Sequence, residues 1–71
     1  MFKKFRRNSA VARLIEEQLY GQVTAELDRG IRRAGLWGKA LAKSRGNESE
    51  TLALYMQLRV QSLRDEAEIA E

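Results

Sequence analysis

Two close carboxylate pairs, Glu16 with Glu17 and Glu26 with Asp28, are the groups in the first half of the chain nearest to a general acid–base arrangement. Such chemistry needs two carboxyls converging on one pocket that drives their pKa values apart. Adjacent helix positions point about 100° apart, and a chain of 71 residues has little interior from which to build a pocket. Cysteine and histidine are both absent, which excludes disulfides, thiolate nucleophiles, the usual zinc spacings and every histidine-dependent triad. The phosphate-cradling patterns GxGxxG and GxxxxGK(S/T) do not occur either. The expectation is a non-enzymatic protein with no catalytic, metal or cofactor-binding residue.

The basic side chains carry more information. Residues 1–46 hold eleven Lys/Arg against four Asp/Glu, and residues 47–71 hold two against six, so the halves come to +7 and −4. Such an asymmetry can steer an anionic partner to one end, pair two copies head to tail, or simply solvate a surface. Two groups stand out as candidate anion-binding residues: Lys3, Lys4, Arg6 and Arg7 near the start, then Arg32, Arg33, Lys39 and Lys43, with Arg29 and Arg45 beside them. Nucleic acid would meet these through phosphate contacts with steep salt dependence. A row of base-reading Arg, Asn or Gln on one helix is missing, which argues against a sequence-reading helix-turn-helix. Phe2 and Phe5 among Lys and Arg also suit peripheral contact with an acidic membrane surface.

The elements that must carry these groups are helical. Proline is absent, and Leu, Ala, Glu, Arg, Lys and Gln dominate, the residues that lose least freedom in a helix. The fold class is all-α, a small bundle of about three helices over roughly 9–29, 33–45 and 48–67. Asn8 or Ser9 can cap the first, whose apolar positions Val11, Ile15, Leu19, Val23 and Leu27 recur every fourth residue, with Leu14 beside them. Gly30 can take the left-handed position that closes it, with Ile31 folding back as the apolar contact of a Schellman turn. Leu36, Trp37, Ala40 and Leu41 make a narrow stripe on the second helix. Gly46 ends that helix, and Asn47 with Glu50 opens the third as a capping box. Gly21, Gly35 and Gly38 fall inside helices, where close approach of a neighbouring helix is the expected reason. The domain division is a mobile basic segment over 1–8 and one helical domain over 9–71.

The expected core is Leu27, Leu36, Trp37, Leu41, Tyr55, Arg59 and Leu63. Arg59 lies between Tyr55 and Leu63 on an apolar face, an expensive place for an unpaired charge, so Glu26 or Asp28 should meet it. The third helix is apolar on two sides: Leu52, Met56, Val60 and Leu63 share one face while Leu54 and Leu58 lie nearly opposite. Either it sits between the other two helices, or one side is a homodimer seam. Leu52, Leu54, Met56 and Leu58 are the candidate self-association residues. A thin core favours association, since small domains without disulfides or metals commonly find burial that way.

Gly30, Gly35, Leu36, Trp37, Lys39, Ala40, Leu41 and Ala42, followed by Tyr55, Leu58, Arg59 and Leu63, read as G-x-x-x-x-GLW-x-KALA, a Gly-containing turn, then Y-x-x-LR-x-x-x-L. This stretch resembles a short helical segment that recurs in uncharacterised bacterial proteins. It covers about half of the chain and excludes residues 1–26. The resemblance implies a bacterial origin and a packing unit, with no activity and no catalytic residue attached. In layout, the helix-Gly-helix part is also similar to the short oligomerisation hairpins attached to many bacterial proteins.

Apolar runs fall far short of the ~20 residues that cross a bilayer, and MFKKFRR lacks the apolar stretch of a signal peptide. The expected compartment is therefore the cytoplasm. Taken together, the residues point to a protein-interaction or self-association module, whose partner is a second copy or another protein. The alternative is an anionic-surface binder, on nucleic acid or acidic membrane, acting through the N-terminal and second-helix Lys/Arg.

Overall fold

The computed structural model describes the backbone of residues 2–70 and the side chains of residues 9–69. Three helices follow one another: α1 (Phe2–Asp28), α2 (Ala34–Ser44) and α3 (Glu48–Ala70). The all-α three-helix class is therefore as expected. Helical backbone is assigned from Phe2, whereas residue spacing placed the start at residue 9 with Asn8 or Ser9 as the cap. The expected mobility of residues 1–8 concerns side chains outside the described ones.

Local chemistry sets each boundary. At the end of α1, Ile31 N–H donates to the Glu26 carbonyl and Gly30 N–H to the Leu27 carbonyl, both at 2.9 Å. That is the Schellman pairing, and Gly30 supports it at φ 75°, where a side chain would clash. Ile31 itself remains exposed, so the apolar half of the expected motif does not form. α2 ends at two successive left-handed residues, Arg45 and Gly46, and Gly46 N–H reaches the Leu41 carbonyl. Asn47 then caps α3: its Oδ1 accepts from Glu50 N–H and from Ser49 Oγ, each at 3.0 Å. The capping box is only half made, because Asn47 N–H donates to the Ser44 carbonyl and not to Glu50. Glu48 and Glu50 in the first turn complement the helix dipole.

α3 lies between α1 and α2 and packs against both, whereas among the described residues α1 and α2 do not pack on each other. This is why α3 is apolar on two sides. Val23, Ala40, Tyr55 and Val60 form the buried centre, with Leu19, Tyr20, Leu27, Leu36, Trp37, Leu54, Met56, Leu58 and Leu63 half-covered around it. The Tyr55 and Trp37 rings meet edge to face at 5.4 Å, a favoured arrangement of aromatic quadrupoles.

Two expectations need correction. Leu41, placed in the core from its stripe, is 39% exposed. α2 has a single helical neighbour, so only the arc through Leu36, Ala40 and Ser44 is covered, and Leu41 falls at its edge. Nor do Gly21, Gly35 and Gly38 serve close approach among the described residues: an added Cβ at each would meet nothing within 4 Å.

A polar clamp ties the α2–α3 turn from inside. Ser44 and Thr51, both buried, share a hydroxyl–hydroxyl hydrogen bond of 2.5 Å. Two hydroxyl protons serve these contacts: Thr51 Oγ1 donates to the Asn47 carbonyl at 2.6 Å, which leaves Ser44 Oγ to donate to Thr51, with the Leu41 carbonyl 3.2 Å from Ser44 Oγ. Each hydroxyl is satisfied as burial demands.

Candidate functional site

Among the described residues, Arg59 is the one buried charged residue, 7% exposed. Its Nε and Nη2 donate to Glu26 Oε1 and Oε2 at 3.0 and 2.9 Å, a bidentate fork across α3 and α1. Of the two candidate partners, Glu26 is the one used. Nη1 donates to Ser62 Oγ at 2.9 Å and lies 3.7 Å from Glu66 Oε1. Glu66 in turn accepts from Arg33 Nη1 at 2.7 Å. Hydrogen bonding from Arg59 holds the Glu26 carboxyl below its ordinary value, with the positive fields of Arg59 and Arg33 adding and burial opposing. Hydrogen bonding from Arg33 does the same for Glu66. Arg59 is pushed upward, chiefly through its bond to Glu26. Glu26, Glu66 and Arg59 are thus stabilised in their charged forms, and the donors of Arg59 are directed at protein acceptors instead of outward.

The acid–base pairs considered from sequence do not converge. Glu16 bonds Arg64 across to α3 at 2.9 Å, Glu26 serves Arg59, and Glu17 and Asp28 stand exposed. Among the described residues, no three His, Cys, Asp or Glu side chains gather as metal ligands.

The candidate anion-binding residues are likewise dispersed. Arg33 is paired with Glu66, and the Arg32 guanidinium lies 4.2 Å over the Trp37 ring, a cation–π contact. Lys39 and Lys43 are exposed on α2, outside any ion pair among the described residues. The side chains of Lys3, Lys4, Arg6 and Arg7 lie outside the described ones. Of the candidate self-association residues, Leu54, Met56 and Leu58 pack against the chain's own core, and only Leu52, 43% exposed, faces outward.

The largest departure from the sequence reading is on α1. Val11, Leu14 and Ile15 are 49%, 59% and 48% exposed, although Val11 and Ile15 belong to the same every-fourth-residue row as the buried Val23. The row is not a straight face: each step of four residues advances about 40°, so Val11 and Leu27 differ by about 160°. α3 crosses α1 and covers Leu19, Tyr20, Val23 and Leu27. The three exposed residues lie within about 100° of one another, centred about 140° round the helix from that contact, with Ile15 at its edge about 40° from Leu19. The drift follows from helix geometry, but where the row leaves the core is set by where α3 crosses.

No protein-family model matches the chain, and neither the curated proteins nor the solved structures compared with it contain a match.

Proposed function

We infer that the chain is a non-enzymatic interaction module, in which α2, α3 and the second half of α1 form a small scaffold that presents the first half of α1 to a partner. One observation carries this reading: three neighbouring aliphatic side chains on one side of α1, Val11, Leu14 and Ile15, stay about half exposed among the described residues. Within the described residues, no side chain before Glu16 makes a hydrogen bond or ion pair to another helix. Helices draw most of their stability from a packed amphipathic face, so a helical stretch with apolar residues and no covering neighbour is a surface awaiting one.

The reading also takes the GLW-x-KALA segment with its Y-x-x-LR continuation as a bacterial packing unit and the cytoplasm as its setting. It moves the contact from α3, where Leu54, Met56 and Leu58 are already occupied, to α1. The test is an amide-resolved NMR concentration series on the full chain, repeated with added vesicles and duplex DNA. Shifts concentrated at residues 9–18 under one of these conditions are expected. Shifts confined to α2 and α3, or none under any condition, would remove the patch from the account.

A further inference from the structure

Taking the interaction-module reading as its basis, we propose that the occupant of the α1 patch is an acidic lipid surface, on which the first half of α1 lies flat. The argument is charge complementarity joined to apolar exposure. Residues 2–15 contain Lys3, Lys4, Arg6, Arg7 and Arg13 and no Asp or Glu. Glu16, the first acid of the helix, is already met by Arg64. Glu17, at about 100° per residue, lies at the edge of the Val11–Leu14–Ile15 face, about 60° beyond Leu14. Residues 2–15 are therefore cationic in sequence and carry exposed aliphatic side chains at Val11, Leu14 and Ile15, the combination that holds an interfacial helix at anionic headgroups while its apolar side chains enter the acyl boundary.

The same features disfavour the other occupants. Two copies meeting through this segment would bring ten cationic side chains together, five from each, without an acid to oppose them, and like charges facing each other weaken association. Nucleic acid would match the charge, but its phosphate backbone offers little to Val11, Leu14 and Ile15, which gain free energy from an apolar phase. Length suits a membrane surface too. From residue 2 to residue 15 the helix runs about 20 Å, and among the described residues no side chain before Glu16 bonds α2 or α3.

The experiment is co-sedimentation of the full chain with vesicles of equal parts phosphatidylcholine and phosphatidylglycerol, against pure phosphatidylcholine, at about 0.1 M salt. Retention on the acidic vesicles alone is expected, with release at about 0.5 M salt as screening shortens the field. Arg13→Gln should weaken it about twofold, since this side chain lies about 100° or more round the helix from the three apolar residues. Leu14→Glu should weaken it roughly tenfold or more. Both positions are outside the core, and an unchanged melting curve for each variant checks that the scaffold persists. Equal retention on neutral vesicles, or none on acidic ones, would overturn the proposal, as would tighter binding to duplex DNA that Leu14→Glu leaves unchanged. If vesicles fail but sedimentation velocity detects Leu14-dependent association of the chain with itself, lipid is wrong and the interaction-module reading stands. If neither occurs, both fall.

Discussion

Replacing Glu26 by Ala should destabilise the fold by about 2–3 kcal/mol. The Arg59 side chain is only 9% exposed and that of Glu26 19%, so both charges are largely withdrawn from water. A hydrogen bond to a charged group contributes about 1.5–3 kcal/mol, and stripping one partner from a buried pair costs about 3–5 kcal/mol, because the remaining charge is left unmet. Two features reduce that figure here. Ser62 stays bonded to Nη1, and Glu66, 3.7 Å away, can close on the vacated guanidinium. A domain of 71 residues has roughly 4–10 kcal/mol of total stability, so this single change should lower the melting temperature by about 10–20 °C.

Urea unfolding followed by circular dichroism at pH 7 measures the difference directly. The pairing also fixes its pH dependence. Arg59 holds the folded-state pKa of Glu26 below the ordinary 4.5. Its contribution is therefore complete above the unfolded-state value and is lost as pH falls through the folded one. The gap between wild type and Glu26→Gln should accordingly close in acid. The double variant Glu26→Ala with Arg59→Met should recover most of the loss, since an apolar pair leaves no charge stranded. A Glu26→Ala penalty under about 0.5 kcal/mol, typical of surface substitutions, would refute the reasoning.

Tyr55→Phe removes the acceptor of the Arg33 N–H, a 3.0 Å bond that ties α3 to the start of α2, and should cost about 1 kcal/mol in the same assay. Gly38→Ala should stabilise by about 0.5–1 kcal/mol, because nothing lies within 4 Å of the added methyl. Gly30→Ala should instead destabilise by about 1–2 kcal/mol, since φ at that residue is 75°. Leu14→Glu should leave urea stability within about 0.5 kcal/mol of wild type. Val23→Ala, at a fully buried site, should cost about 2 kcal/mol.

The helical class, the three elements and the turn at Gly30 follow from composition and spacing, because helix propensity and C-terminal capping are local properties. The partner of Arg59 is legible for a related reason. A charge inside an apolar face demands compensation, and few carboxylates lie at a distance from it along the chain. Three features were not legible, all dependent on how the helices cross. Leu41 sits in a respectable stripe but on the edge of the arc that one neighbour can cover. The Ser44–Thr51 clamp leaves no periodic signal, since isolated hydroxyls in a helix read as neutral surface residues. The row from Val11 to Leu27 reads as one face in a list of fourth residues and becomes two when the 40° drift meets a single crossing helix. The second of those faces carries the functional proposal.

Native-state hydrogen exchange on a dilute sample tests the central claim most directly, since it asks whether the scaffold closes without the first half of α1. The amides of Val23, Tyr55 and Val60, at the buried centre, should exchange only through global unfolding, as core amides do. Those of residues 9–15 should exchange within about a hundredfold of unfolded-chain rates in the free protein and slow when acidic vesicles are added. Global-level protection of residues 9–15 in a free monomer would contradict the claim, because that stretch would then belong to the folded core rather than to a surface kept for a partner.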